Sequence, residues 1–314
     1  MNILVTGGAG YIGSVLVPAF LQDGHHVTVL DNFIYNQTAL LDCCHYKGLK
    51  VVRGDACDES LVKSLLRDMD AVFPLACLTG APLCDKDPDG ARAVIIDALR
   101  IIFKNRKNQK IIYPTTNSGY GVGEKGKFCT EETPLRPISL YGQLKVQAEE
   151  EILKAGNGIT LRLATAFGVA PRMRLDLLVN DFTLRAVRDK RIELFEPHFM
   201  RNYVHVRDIA RAFLHALKNF ERMKNEPYNV GLTEANKSKM DLCLEIKKFV
   251  PEFEIIEVQG KKDPDQRDYI VSNEKLEKTG FKPQTSLADG IEELIKAYTI
   301  TNCAREQKVQ LTNI

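Results

Sequence analysis

Thr6-Gly7-Gly8-Ala9-Gly10-Tyr11-Ile12-Gly13 follows directly on Asn2-Ile3-Leu4-Val5, and together they read as a strand, a glycine loop and the start of a helix. Gly7 and Gly8 permit a tight turn, Gly10 lets backbone approach a pyrophosphate, and Gly13 lets the helix pack close to the strand. The pyrophosphate of a dinucleotide would then sit on N–H groups at the helix N-terminus, beside Tyr11 and Ile12. A glycine-rich loop alone is also compatible with a plain turn. Three neighbouring features strengthen the dinucleotide reading.

The first is Asp31, which ends the run His26-Val27-Thr28-Val29-Leu30 and precedes Asn32, where a ribose-binding carboxylate is expected. A carboxylate there accepts from both adenosine ribose hydroxyls and repels a 2′-phosphate, so NAD is expected rather than NADP. The second is Asp55 in Val51-Val52-Arg53-Gly54-Asp55, followed by Ala56. It is placed either to meet the adenine amino group or to cap a helix. The third is repetition. Apolar runs at 2–5, 26–30, 49–52, 71–75, 110–113 and 159–163 alternate with stretches of helical period, the pattern of parallel strands joined by crossover helices. The expected fold is α/β, a doubly wound parallel sheet of the Rossmann kind. Its ligands bind at the carboxyl ends of the strands, where Gly10, Asp31, Asp55 and Thr116 fall, and Leu75 with Ile12 is expected to give the cofactor an apolar pocket.

At 314 residues the chain exceeds one ordinary core, so a smaller α/β domain for substrate is expected after the first. The rhythm breaks at Pro171-Arg172-Met173-Arg174. The expected division is 1–168 for the cofactor and 169–314 for the substrate, with about 205–230 returning to the first domain. Short strands at 191–195 and 254–258 are expected to help form a lid over the strand ends. A formal net charge of +2 on balanced totals gives no reason to invoke nucleic acid or an anionic membrane as partner. The short apolar N-terminus and the lack of any long apolar run point to neither a signal peptide nor a membrane span, hence a cytoplasmic enzyme. Eight cysteines (43, 44, 57, 77, 84, 129, 243 and 303) show no C-x-x-C spacing. They are expected to be reduced, with no metal bound.

The chemistry is expected from Thr116, Tyr141 and Lys145. On a helix, Tyr141 and Lys145 share one face, so the ammonium can stand near both the phenol and a cofactor ribose. A free tyrosine, with a pKa of about 10, is only about 0.1% phenolate at pH 7. A nearby cation lowers that pKa by roughly 1–3 units, letting Tyr141 act as base toward a sugar hydroxyl that Thr116 orients. Cys77 and Cys84 read as small buried fillers, and His205, inside an apolar run, as a packed histidine.

The chain resembles the extended short-chain dehydrogenase/reductases of nucleotide-sugar metabolism. The residues that carry the likeness are Thr6-Gly7-x-x-Gly10-x-x-Gly13, Asp31, Asp55, Thr115-Thr116-x-x-x-Tyr120-Gly121, Tyr141-x-x-x-Lys145 and Arg201-Asn202-Tyr203-Val204-His205-Val206-Arg207-Asp208. The resemblance implies oxidation of a sugar C4 hydroxyl with NAD, by Thr116, Tyr141 and Lys145. It also implies substrate contacts from Asn117, Ser118, Asn180, Arg172, Arg174, Arg201 and Arg267, and a homodimer. A 4,6-dehydratase of this kind carries Asp-Glu where Asn117-Ser118 stand here, and a 3,5-epimerase/reductase carries a cysteine at the place of Ser118. Neither reaction is therefore expected. Longer segments, 171–182 and 263–269 among them, are similar to bacterial GDP-D-glycero-α-D-manno-heptose 4-dehydrogenases, with a nucleotide-sugar 4-epimerase as the alternative. One departure from the family is Val94-Ile95-Ile96, where an asparagine often faces the nicotinamide. Another is Cys77, where a second alanine is usual.

Overall fold

A computed structural model describes residues 1–258 and 267–301. In chain order its elements are β1 (Asn2–Thr6), α1 (Gly13–Gln22), β2 (His26–Asp31), β3 (Leu49–Arg53), α2 (Glu59–Leu66), β4 (Ala71–Pro74), α3 (Ala81–Lys86), α4 (Pro88–Arg92), α5 (Ala98–Asn105) and β5 (Lys110–Thr116). There follow β6 (Phe128–Cys129), α6 (Leu140–Ala155), β7 (Gly158–Leu163), β8 (Thr165–Phe167), α7 (Leu178–Arg188), β9 (Arg191–Leu194), β10 (Met200–His205), α8 (Val206–Lys218), α9 (Phe220–Met223) and β11 (Pro227–Val230). The last are β12 (Asn236–Ser238), α10 (Lys239–Phe249), β13 (Glu254–Glu257), β14 (Ile270–Val271), α11 (Glu274–Glu277) and α12 (Leu287–Ile300).

Two compact units result. The first holds Met1–Gly119, Pro137–Arg162 and Ala210–Tyr228; the second holds Tyr120–Arg136, Leu163–Ile209 and the chain from Asn229 onward. The split at 168 is therefore corrected. Tyr120–Arg136 groups with the second unit because β6 pairs with β14, and β8 does so because it pairs with β10. The returning segment begins at Ala210, later than the expected start near 205.

The first unit is built on a seven-stranded sheet of order β11-β7-β5-β4-β1-β2-β3. The pairs β1–β2, β1–β4, β2–β3 and β4–β5 are all parallel. Strand order reverses between β1 and β4, the position where such sheets open a crevice for ligands. Ile3, Leu4 and Val5 of β1 have no exposed surface, because a central parallel strand is covered on both faces and needs apolar residues on both. One face packs Leu4, Val72, Ile111 and Tyr113 against Leu144, Ala148 and Ile152 of α6. A π turn at Ala93–Asp97 joins α4 to α5. It buries Ile95 and Ile96 in the same core, which gives the apolar departure at 94–96 a packing role.

In the second unit β8, β10 and β12 form a three-stranded sheet, while β9–β13 and β6–β14 are parallel pairs. Phe167, Tyr203, Leu242, Ile246, Phe253, Ile291 and Leu294 centre its core. Among the described residues no helix is long and apolar enough to cross a membrane.

Candidate active site

The glycine loop is set by two close approaches. Gly7 lies at φ +67°, and a Cβ there would stand 2.6 Å from the backbone nitrogen of Ala76. A Cβ on Gly13 would land on the backbone of Gly8. The segment after β4 is thereby held against the loop, with Leu75 N–H donating to Thr6 O at 2.9 Å. At Ile12 the start of α1 has no side-chain cap, and the amides of Ser14 and Val15 donate to Gly10 O and Ile12 O.

Asp31, at the end of β2, is 7% exposed. One oxygen accepts from Ala9 N–H at 2.9 Å and the other from Phe33 N–H at 2.8 Å. The carboxylate thus ties the glycine loop to β2. The oxygen that takes Phe33 also accepts from Gln37 Nε2 at 3.4 Å, so the one facing Ala9 keeps a lone pair for a ribose hydroxyl. Asn32 accepts from Ile34 N–H at 3.1 Å. Asp55 is exposed and accepts from Cys57 N–H at 2.8 Å. It does not cap a helix, and that alternative is corrected: Asp58 caps α2 through Leu61 N–H, because Ala56 and Cys57 form a turn first. Ala56 behind it is buried. A tight loop, an uncapped helix start and a carboxylate at the next strand end suit the pyrophosphate and ribose of a dinucleotide.

Thr116 closes β5, and its hydroxyl and the Ser118 hydroxyl are 2.9 Å apart. The Ser118 N–H donates to Thr116 Oγ1 at 3.1 Å, fixing the threonine rotamer. Asn117 is fully buried, and its amide has no hydrogen-bond partner among the described residues. Ser139 opens α6 by accepting from Gly142 N–H at 3.2 Å, which sets the helix phase that carries Tyr141 and Lys145. Tyr141 is half-buried. Lys145 is 3% exposed; its Nζ donates to Tyr113 Oη and to Pro114 O, both at 3.0 Å. Burial works against the ammonium, but Cys77, Tyr113 and Tyr141 beside it outweigh that and hold its pKa above the ordinary lysine value.

Glu149 and its partners were not read from the sequence as part of the site. Glu149, one turn beyond Lys145, accepts from Thr115 Oγ1 (3.0 Å) and Thr160 Oγ1 (3.2 Å), and pairs with Arg162 at 2.6 Å. Both charged groups are almost wholly buried. The carboxylate joins β5, α6 and β7 directly behind Thr116. Its signal was present as a Tyr141, Lys145, Glu149 stripe at four-residue spacing, while Tyr113 and Thr115 share one face of β5 by strand alternation.

The expected substrate residues of the second unit are engaged within it. Asn180 is fully buried, accepts from Gly168 N–H at 3.0 Å and donates to Arg174 O at 2.8 Å. Arg174 forms a two-pronged pair with Asp176, and Arg172 donates to Met173 O at 2.7 Å. Arg201 donates to Met200 O at 2.8 Å and to the carbonyl of Arg267, bringing those two arginines together. Residues 263–266 of the similar segment 263–269 lie outside the described residues, as does Cys303.

His205 is buried edge-on to Phe167, accepts from Arg207 N–H at 3.2 Å and lies 3.3 Å from Glu293. It packs rather than faces a ligand. The Cys84 thiol is fully buried and donates to Leu78 O at 3.2 Å; Cys77 donates to the same oxygen. Burial pushes the Cys84 thiol up to about 12, so it stays protonated and unreactive. The seven described cysteines are free thiols, and no cluster of metal-ligating side chains occurs among the described residues.

A model of the NAD dependent epimerase/dehydratase family matches residues 3–231. The UDP-glucose 4-epimerase of Lactobacillus helveticus is 28% identical, the match covering 93% of this chain and 94% of that protein. The dTDP-glucose 4,6-dehydratase of Streptomyces niveus is 26% identical over 95% and 93%. The structure of the Thermus thermophilus UDP-glucose 4-epimerase in complex with NAD superposes with a TM-score of 0.80 at 25% identity, covering 95% of this chain and 99% of that one.

Proposed function

The chain belongs to the NAD-dependent epimerase/dehydratase family, and from that premise we propose that it oxidises the C4 hydroxyl of a nucleotide-activated sugar. The observation that carries the reading is the first unit's own arrangement. Thr116 ends β5, Tyr141 and Lys145 lie one turn apart on α6, and the lysine is buried with its Nζ on Tyr113 Oη and Pro114 O.

NAD, when bound, supplies the acceptor for the hydride that leaves C4. The protein does the rest with its own groups. Asp31 holds the adenosine ribose and the glycine loop with Ile12 and Gly13 takes the pyrophosphate. The Lys145 ammonium meets the ribose next to the nicotinamide and favours the phenolate of Tyr141. Tyr141 then removes the proton from the C4 hydroxyl, which the Thr116 hydroxyl orients. Arg172, Arg174, Asn180, Arg201 and Arg267 are the proposed nucleotide side of the substrate site, where guanidinium groups suit a diphosphate.

For the fate of the ketone we propose release, as in a GDP-D-glycero-D-manno-heptose 4-dehydrogenase. The support is the likeness over 171–182 and 263–269, and the absence of a carboxyl pair at Asn117-Ser118 argues only against dehydration of the ketone. The second reading, a 4-epimerase that returns the hydride to the other face, is favoured by the Lactobacillus relative. The test adds GDP-heptose, then other GDP-, UDP- and CDP-sugars, to protein with NAD and follows the near-ultraviolet spectrum. A lasting reduced-nicotinamide band with a keto sugar establishes the dehydrogenase. A C4 epimer without net reduction establishes the epimerase, and neither product from any sugar refutes the proposal.

A further inference from the structure

We propose that Tyr113 is a positioning residue for Lys145: it holds one ammonium proton, Pro114 O holds a second, and the third is thereby aimed at the cofactor ribose. An ammonium has three N–H donors and no acceptor. Two of the three are spent inside the protein, on Tyr113 Oη and Pro114 O, each at 3.0 Å. With two donors fixed, tetrahedral geometry leaves a single direction for the third. The Nζ also lies 4.3 Å from the centre of the Tyr113 ring, so the ring face adds an electrostatic contact to the hydrogen bond.

The placement is built rather than incidental. Tyr113 and Lys145 are 2% and 3% exposed, so neither group can exchange its partner for bulk water. Immobilising a lysine stem costs rotamer entropy. Here that cost is met before any ligand arrives. Tyr113 shares the α6-facing side of β5 with Thr115, whose hydroxyl is held by Glu149 on the next turn of α6. Strand and helix are thus locked by two polar contacts a turn apart, and each contact acts on a neighbour of the reacting groups.

The inference rests on the reading that Lys145 meets the ribose next to the nicotinamide, and the experiment separates the two. NAD contains that ribose and ADP does not, while both contain the adenosine ribose expected at Asp31. Calorimetric titration of wild type, Tyr113→Phe, Lys145→Met and the double variant with NAD and with ADP gives the comparison. Tyr113→Phe is expected to weaken NAD about 5- to 10-fold, the worth of one hydrogen bond, and to leave ADP unchanged. In the Lys145→Met background the same change is expected to have no effect, because the positioned group is gone. Unchanged NAD affinity in Tyr113→Phe, or equal losses for NAD and ADP, overturns the proposal in favour of a packing role. A wild type that binds ADP but not NAD overturns the underlying reading and the inference with it. Thermal midpoints check folding. If Tyr113→Phe does not fold, 3-fluorotyrosine at 113, which keeps the shape but weakens the oxygen as acceptor, repeats the comparison with a smaller expected loss in the same direction.

Discussion

Tyr141 is asked to carry a proton, and that role separates cleanly from binding. Tyr141→Phe should lower kcat by about 10²- to 10⁴-fold, the range for loss of a general base, while NAD affinity stays within about twofold. Retained turnover in that variant would refute the assignment. Glu149 has a different role. Replacing it by Gln leaves the Arg162 guanidinium buried without its counter-charge, which costs about 3–5 kcal/mol, so denaturant unfolding should show a loss of that size. A loss below about 1 kcal/mol would mean that Arg162 relaxes to another acceptor. Tyr141 and Lys145 were legible as a spaced pair, but nothing in one chain's sequence marks Thr115, Thr160 and Arg162 as partners of Glu149. They come from two strands and one helix that meet only in space.

Elements fix how a local change spreads. At the start of α1, a Cβ on Gly13 would overlap the backbone of Gly8, whereas a Cβ on Gly10 meets only Gly7 O at 3.2 Å. Gly13→Ala should therefore lower stability by about 1–3 kcal/mol, the usual cost of overpacking. Gly10→Ala should leave the melting temperature nearly unchanged and weaken NAD, because its methyl intrudes where the pyrophosphate approaches; equal effects on melting and on NAD from both changes would contradict this. In the second unit, Glu293 of α12 faces His205 and Arg207. Burial works against its charge, but hydrogen bonds and attraction from those two residues outweigh it and bring its pKa down to about 2. The folded value lies below the unfolded value of about 4.3, so the ionised group stabilises the fold above that pH. This contribution should disappear as pH falls from about 4.3 to 2. Acid unfolding of Glu293→Gln should show a shallower dependence over that window; an unaltered slope would refute the coupling. The glycine pattern was readable because turn geometry is local, while the Glu293 cluster joins residues nearly ninety positions apart.

For the whole molecule, cofactor choice can be read as stability. A ligand bound only by the folded chain stabilises it by about 2.7 kcal/mol at a hundredfold excess over Kd. NAD should raise the thermal midpoint and NADP should not, since the Asp31 carboxylate repels a 2′-phosphate; an equal rise with NADP would reject that role for Asp31. The fold itself was open to reading from residue order. Parallel strands buried on both faces must be apolar runs, crossover helices must lie between them, and the glycine loop must follow β1 for the anion to reach a helix start. Those constraints are local or periodic, and the sequence by itself determined them, together with the Thr116, Tyr141 and Lys145 candidates. Only the tertiary structure decided the membership of the two units, the cap at Asp58, the engagement of Asn180 and the arginines, and the Tyr113 contact that holds Lys145. Each of those depends on which distant segments share a buried space, where a polar group must find a partner or pay for lacking one.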